Sequence, residues 1–286
     1  MKTGFCMLLW TSAVDDSHRP ILEALAETGY DGVEIPVFEG EPDDYARLGR
    51  LLDDVGLERT AISVLPTLEV NPLSEDAAVR AAATRRLEWL VDCTAALGAS
   101  VVGGPLHQTR GHFSGAPATD EERARARDVH RAAGEHASAA GVTLALEALN
   151  RFECYFATTM QELADYVASV DHPAIRGMYD TFHANIEETD PPGAFDTISP
   201  WCAHVHVSEN DRGVPGRGHV PFAETFERIR GSGYDGWLTI EAFGRGLPAL
   251  AAATRVWRDF AESPEAVYRE GHRTIVDGWA AAGGAA

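Results

Sequence analysis

Four short, otherwise apolar runs in this chain each close on a side chain that can bind a cation or move a proton. The run 142–147 ends on Glu147, 177–180 on Asp180, 203–206 on His206 and 237–241 on Glu241. A single acid inside a buried strand is costly without a partner, and four such groups at equivalent places solve the problem together by holding a cation. Taken one at a time, Glu147 and Asp180 read as salt-bridged structural acids and His206 as a hydrogen-bonded core histidine. Independent structural reasons would not put all of them at matching positions. Three carboxylates and one imidazole form a hard, oxygen-rich donor set, which favours one divalent ion, Mn²⁺ or Mg²⁺ with Co²⁺ also admissible, over a thiolate-bound structural zinc. His204, two residues before His206, faces the same way one layer deeper and reads as support. Further polar groups follow in the loops: Asn150, Arg151 and Glu153, then His183 and Asn185, then Glu209, Asn210, Asp211 and Arg212.

The elements that must position these residues recur along the chain as a β-rich run, a polar loop and an amphipathic stretch that ends near glycine. The expected strands are 4–10, 32–36, 60–65, 100–106, 142–149, 176–180, 203–208 and 237–243. Between them, Tyr45, Leu48, Leu52 and Val55 recur at helical spacing before Gly56, and Leu87, Leu90, Val91 and Leu97 do so before Gly98, with Ser74 as the expected N-cap of that second helix. Gly29-Tyr-Asp-Gly-Val-Glu34 and Gly233-Tyr-Asp-Gly-Trp237 echo one another at helix-to-strand junctions. Eight βα units without a Ser/Gly/Pro linker predict an α/β fold, a single (β/α)₈ TIM barrel over 1–286, whose chemistry lies at the C-terminal strand ends. The segment 247–280 is expected to supply a final helix plus an extension, and residues 283–286 a loose end.

Composition excludes other classes. With 45% hydrophobic and 24% charged residues the chain is neither disordered nor fibrous, and 44 acidic against 24 basic residues give a net charge of −20, unsuited to nonspecific binding of nucleic acid or an anionic membrane. Cys6, Cys93, Cys154 and Cys202 are scattered with no CxxC pair, which fits a reducing cytoplasm and no disulfide framework. No run approaches the ~20 apolar residues needed to span a bilayer, and the apolar start of the chain, soon followed by Asp15 and Asp16, is a poor signal peptide. Gly103-Gly104 runs into Pro105 without the spacing of a nucleotide-binding loop, so no NAD or ATP is implied.

Three motifs are specific: Glu147-Ala-Leu-Asn-Arg-Phe-Glu153, Asp180-Thr-Phe-His-Ala-Asn-Ile-Glu-Glu188 and His206-Val-Ser-Glu-Asn-Asp-Arg212. With Ser74-Glu-Asp-Ala-Ala-Val-Arg-Ala-Ala-Ala83 and Val256-Trp-Arg-Asp259, they resemble the ketose 3-epimerases of the D-tagatose and D-allulose (psicose) 3-epimerase type, among the xylose-isomerase-like sugar isomerase/epimerase barrels. The resemblance implies an isomerase acting on a small free ketose, assembled as a homodimer or homotetramer. It implies Glu147, Asp180, His206 and Glu241 as metal ligands, the four that strand position had selected, and Glu153, His183 and Arg212 as groups that bind the sugar. It also leads one to expect an aromatic residue, often Trp, beside the sugar after the fourth strand, where this chain reads Gly103-Gly-Pro-Leu-His-Gln-Thr-Arg-Gly-His112.

The implied reaction is epimerisation at C3. A divalent ion on the C2 and C3 oxygens would stabilise the enediolate, and Glu147 and Glu241 would act as the bases on its two faces. An aldose–ketose isomerase uses the same chemistry between C1 and C2 and is the near alternative. A zinc nuclease of the endonuclease IV type needs more histidines and a basic surface. Most of the tryptophans read as packing, while Trp10 is expected at the barrel mouth.

Overall fold

The computed structural model describes residues 1–283; residues 284–286, for which a loose end is expected, lie outside the described residues. Eight strands, β1 (Lys2–Cys6), β2 (Gly32–Pro36), β3 (Glu58–Ile62), β4 (Val101–Gly104), β5 (Thr143–Glu147), β6 (Ile175–Asp180), β7 (Cys202–Val207) and β8 (Trp237–Ile240), pair in parallel in that order, and β8 returns to β1. The sheet is a closed barrel, as the repeated unit implies. β2 matches its apolar run, and where a run outlasts its strand it continues into the connecting segment: 4–10 divides into β1 and a 3₁₀ turn over Met7–Leu9, still buried.

Helices ring the barrel because each carries one apolar stripe and must bury it. Helix α1 (Arg19–Thr28) is followed by α2 (Pro42–Val55), with Gly56 in the left-handed conformation at its C-terminus, and α3 (Ala77–Leu97) ends likewise at Gly98. The N-cap of α3 is Asp76, whose carboxylate accepts from Ala78 N–H at 2.7 Å, and not Ser74, whose hydroxyl accepts from Asp76 N–H at 3.2 Å one step earlier. Both residues can cap; the chain enters the helix later than its first capping residue. Leu87, Leu90, Val91 and Leu97 are buried as the spacing requires, and truncating one such leucine to alanine costs about 2–5 kcal/mol.

The second half adds α4 (Asp120–Ala140), α5 (Met160–Val170), α6 (Thr181–Glu187), α7 (Pro191–Ile198) and α8 (Phe222–Gly231). The C-terminal helical segment divides into α9 (Pro248–Thr254) and α10 (Pro264–Ala281). Helix α10 closes the ring against α8 and α1, with Tyr30 donating to the Tyr268 carbonyl at 2.7 Å and Arg230 to the Trp279 carbonyl at 2.6 Å. Helix α9 lies on the loop after β8, so Leu250 and Thr254 roof the cavity at the strand ends. No helix among the described residues is long and apolar enough to cross a membrane. All four cysteines are free and buried.

Candidate active site

Glu147 closes β5, Asp180 closes β6, His206 is the penultimate residue of β7, and Glu241 follows β8. Register brings them together: Asp180 pairs with His206 across β6 and β7, and His206 with Thr239 across β7 and β8. His206 Nδ1 lies 3.7 Å from both Asp180 Oδ2 and Glu241 Oε2. Glu147 reaches the same cluster from the other side, 3.5 Å from His183 Nε2, which in turn lies 3.9 Å from Asp180 Oδ2. Candidate ligand atoms of Asp180, His206 and Glu241 all fall within 4.8 Å of one another, as do those of Glu147, Asp180 and His183.

Two atoms bear directly on whether a cation fits here. Asp180 spends Oδ1 capping α6 through Phe182 N–H at 2.7 Å, while its Oδ2 and His206 Nδ1 are buried with no hydrogen-bond partner among the described residues. An unpaired buried oxygen or nitrogen costs ~1–3 kcal/mol or more, and two of them facing one another and a second carboxylate, Glu241, are what a hard cation satisfies. The residues present fit a divalent ion.

Electrostatics divides the acids. Burial alone would raise the Asp180 carboxyl, but His206, His183 and Arg212 outweigh it and hold the group well below the usual carboxylate range. Burial, with Asp180 and Glu241 adding repulsion, pushes Glu147 well up. Burial also raises Glu241, against the pull of Arg212 and His206. Burial, reinforced by the Arg212 guanidinium, takes His183 down to about 4 against the pull of Asp180 and Glu153, so its ring is neutral near pH 7. The Asn150 N–H donates to His183 Nδ1 at 2.9 Å, and the other ring nitrogen, Nε2, faces the Arg212 guanidinium and the Glu147 carboxylate.

Arg212 donates through Nη1 to Glu241 Oε2, and its Nη2 lies 2.8 Å from His183 Nε2. The guanidinium sits between the rings of Phe182 and Phe243, at 4.1 and 4.7 Å from their centroids. Its backbone adopts φ of 60°, a left-handed conformation unusual for a residue with a side chain and one that costs ~1–2 kcal/mol. Glu153 is held from two sides, by Arg110 through Nε at 2.7 Å and by Asn150 Nδ2 at 3.0 Å. Glu147, Glu153, His183, Arg212 and Glu241 all line one cavity, closed by Leu8, Phe38, Val64, Phe243 and Leu250.

A family model described as the xylose isomerase-like TIM barrel matches residues 22–277. The chain belongs to that family. It is 32% identical over 264 residues to the D-psicose 3-epimerase of Agrobacterium fabrum, covering 91% of each chain, and 31% identical over 270 residues to that of Ruminiclostridium cellulolyticum, covering 93% of this chain and 92% of the relative. The solved structure of a D-psicose 3-epimerase with D-tagatose, from Clostridium cellulolyticum H10, superposes with a TM-score of 0.87 at 29% identity and covers 99% of both chains.

Within this member of the family, the atypical segment after β4 has a definite job. His107 Nε2 donates to the Glu147 carbonyl at 2.6 Å, the Gln108 amide oxygen accepts from Tyr155 N–H and Phe156 N–H at 3.2 and 3.0 Å, and Arg110 reaches both Glu153 and the Ala253 carbonyl of α9, the latter at 2.8 Å. Arg110 therefore stands at the cavity wall where an aromatic side chain was expected. Other flagged groups turn elsewhere. Arg151 pairs with Glu187 at 2.8 Å, Asn185 faces His219, and Glu209 and Asp211 accept from backbone N–H groups of their own loop. Trp10 packs against Phe5 at 5.0 Å and lines a neighbouring cavity with Gly244, Asp259 and Phe260, outside the catalytic one.

Sequence reading missed Glu34 and Arg110. Glu34 lies in the middle of β2, fully buried, 2.9 Å from His206 Nε2 and 2.8 Å from His204 Nε2. The signal that selects Glu147, an acid inside an apolar strand, also marks Glu34. Its mid-strand position set it apart from the strand-end groups. His204 faces the interior below His206, as the two-residue period requires.

Proposed function

We propose that this protein is a ketose 3-epimerase that inverts C3 of a small free ketose, using one divalent metal ion held by Glu147, Asp180, His206 and Glu241. The observation that carries the reading is the convergence of two partnerless buried atoms, Asp180 Oδ2 and His206 Nδ1, with the Glu241 carboxylate. Full-length relatives named D-psicose 3-epimerase support the choice of reaction. The hard donor set favours Mn²⁺, then Mg²⁺ or Co²⁺. When bound, the ion supplies positive charge to the oxygens of the carbon acid, whose proton a carboxylate cannot remove unaided.

The chain's own residues divide the remaining work. Inversion through a planar enediolate needs a proton acceptor on one face and a donor on the other, and Glu147 and Glu241, from β5 and β8, supply them. Burial raises both carboxyls, with Asp180 and Glu241 adding to the effect at Glu147 and Asp180 and Glu34 at Glu241, so the group that takes the proton from C3 can hold it while the other delivers one to the opposite face. Asp180 stays anionic as a ligand. Neutral His183 lines the cavity as a polar contact for a sugar oxygen, Arg212 presents donors fixed between Phe182 and Phe243, and Glu153, oriented by Arg110 and Asn150, accepts from a hydroxyl. The apolar wall around them excludes water, which strengthens each of these interactions. We read the working protein as a cytoplasmic homodimer or homotetramer; four buried thiols suit a reducing compartment.

The test is incubation with D-fructose, D-tagatose or L-ribulose in D₂O after chelation and after restoring Mn²⁺, followed by NMR. Deuterium entering C3, with the epimer as product and only in the metal-restored sample, is expected. Glu147→Gln and Glu241→Gln should each lose about 100-fold or more in turnover with the fold intact. Deuterium at C1 with aldose formation would instead identify an aldose–ketose isomerase, and full activity after chelation would overturn the metal assignment.

A further inference from the structure

Glu34 is a carboxylate with no exposure to solvent, in the centre of the barrel, and no lysine or arginine among the described residues pairs with it. Its strand neighbours in register are Cys6 on β1 and Thr60 on β3, and Thr60 Oγ1 donates to Glu34 Oε2 at 3.3 Å. The remaining contacts cross the barrel interior to β7, where His206 Nε2 lies 2.9 Å from Oε1 and His204 Nε2 2.8 Å from Oε2. A buried anion is tolerated only where specific partners compensate it, and here the partners are imidazoles.

The bond has a directional consequence. A carboxylate only accepts hydrogen bonds, so the His206 nitrogen facing it must carry a proton. An imidazole that ligates a metal is neutral and has one N–H, which leaves Nδ1 as a lone pair, and Nδ1 is the atom aimed at Asp180 Oδ2 and Glu241 Oε2. The opposite tautomer would set a lone pair against a carboxylate oxygen at 2.9 Å and a proton towards the ligand cluster. We propose that Glu34 is a positioning residue: it holds the proton of His206 on Nε2 and so presents Nδ1 as the ligand atom for the divalent ion. This inference rests on the metal-dependent reading of the site. His204 shares the carboxylate but lies deeper, grouped with Glu34 and His206 and not with Asp180 and Glu241, so its role in the proposal is to support Glu34.

Residues that orient a metal-bound histidine in this way are worth about 10–100-fold in metal affinity. Calorimetric titration of the metal-stripped full-length protein with Mn²⁺ should show that loss for Glu34→Gln, whose neutral amide is a weaker acceptor. His204→Gln should bind as tightly as the wild type. Circular dichroism and melting of the metal-free forms report whether each variant folds. Unchanged Mn²⁺ affinity in a folded Glu34→Gln overturns the proposal, as does an equal loss in His204→Gln, which would mark the cluster as packing alone. Should Glu34→Gln not fold, the wild type decides: long-range ¹H–¹⁵N spectra of the histidine-labelled, Mg²⁺-loaded protein should place the His206 proton on Nε2, and a proton on Nδ1 refutes the assignment. A wild type that binds no divalent ion defeats the metal reading as well, whereas a binding wild type with an unaffected Glu34→Gln defeats this proposal only.

Discussion

Two buried histidines, one on α4 and one in the segment after β4, give a pH dependence of stability whose size follows from their surroundings. His130, on α4, is buried, with Nε2 donating to the Leu106 carbonyl at 3.1 Å and Nδ1 beside the Tyr166 hydroxyl; His107 is buried and bonded to the Glu147 carbonyl. Burial pulls His130 down from 6.5 to about 4 and His107 to about 3. Both rings stay neutral in the folded protein at pH values where the unfolded chain has already taken up the protons. The unfolded state therefore binds more protons below about pH 6.5, and stability falls as pH falls through that value towards the folded values. At about pH 5 the folded rings are still mostly neutral, so the penalty is set by the unfolded value alone, roughly 2 kcal/mol per ring and about 4 kcal/mol for the pair. Urea unfolding followed by circular dichroism, at about pH 7.5 and about pH 5, measures it. His130→Gln changes the absolute stability, but that offset is common to both pH values, so the drop between them should shrink by roughly 2 kcal/mol relative to the wild type. Equal drops in the two proteins would refute the claim that burial keeps His130 neutral.

Two further expectations concern the groups proposed to bind the sugar. Arg212→Lys keeps the charge but loses the planar stack between Phe182 and Phe243 and one of two fixed donors, so steady-state kinetics should show KM for the ketose rising about 10–100-fold; an unchanged KM would remove Arg212 from substrate binding. Arg110→Ala takes away the charged partner of Glu153 and the tie to the Ala253 carbonyl, and because the pair is only partly exposed KM should rise about tenfold with a smaller change in kcat. Glu153 is held below the ordinary value against its burial by His183, Arg212 and Arg110 together. The acidic limb of the KM profile should therefore move to higher pH in Arg110→Ala, and an unmoved limb would show that Arg110 serves only to anchor α9.

What could be read from the chain alone was whatever has a short period. The alternation of a strand and the glycine-ended helical stripe are local, so the eight units, the barrel and the polar residue closing each of β5 to β8 were legible, as were the motifs that carry Glu153, His183 and Arg212. Strand ends were not, because an apolar run such as 4–10 does not mark where pairing stops and the 3₁₀ turn begins. Nor does spacing along the chain say what lies across a closed sheet. Closure of β8 on β1 brings β2 within reach of β7 across the interior, so Glu34 meets His206 over a separation of 172 residues. Likewise Arg110 finds Glu153 and the end of α9 only because three loops dock above one barrel mouth. Residue type supplied the chemistry of the site. Its orientation came from the packing of distant segments around a common core, a property no local pattern encodes.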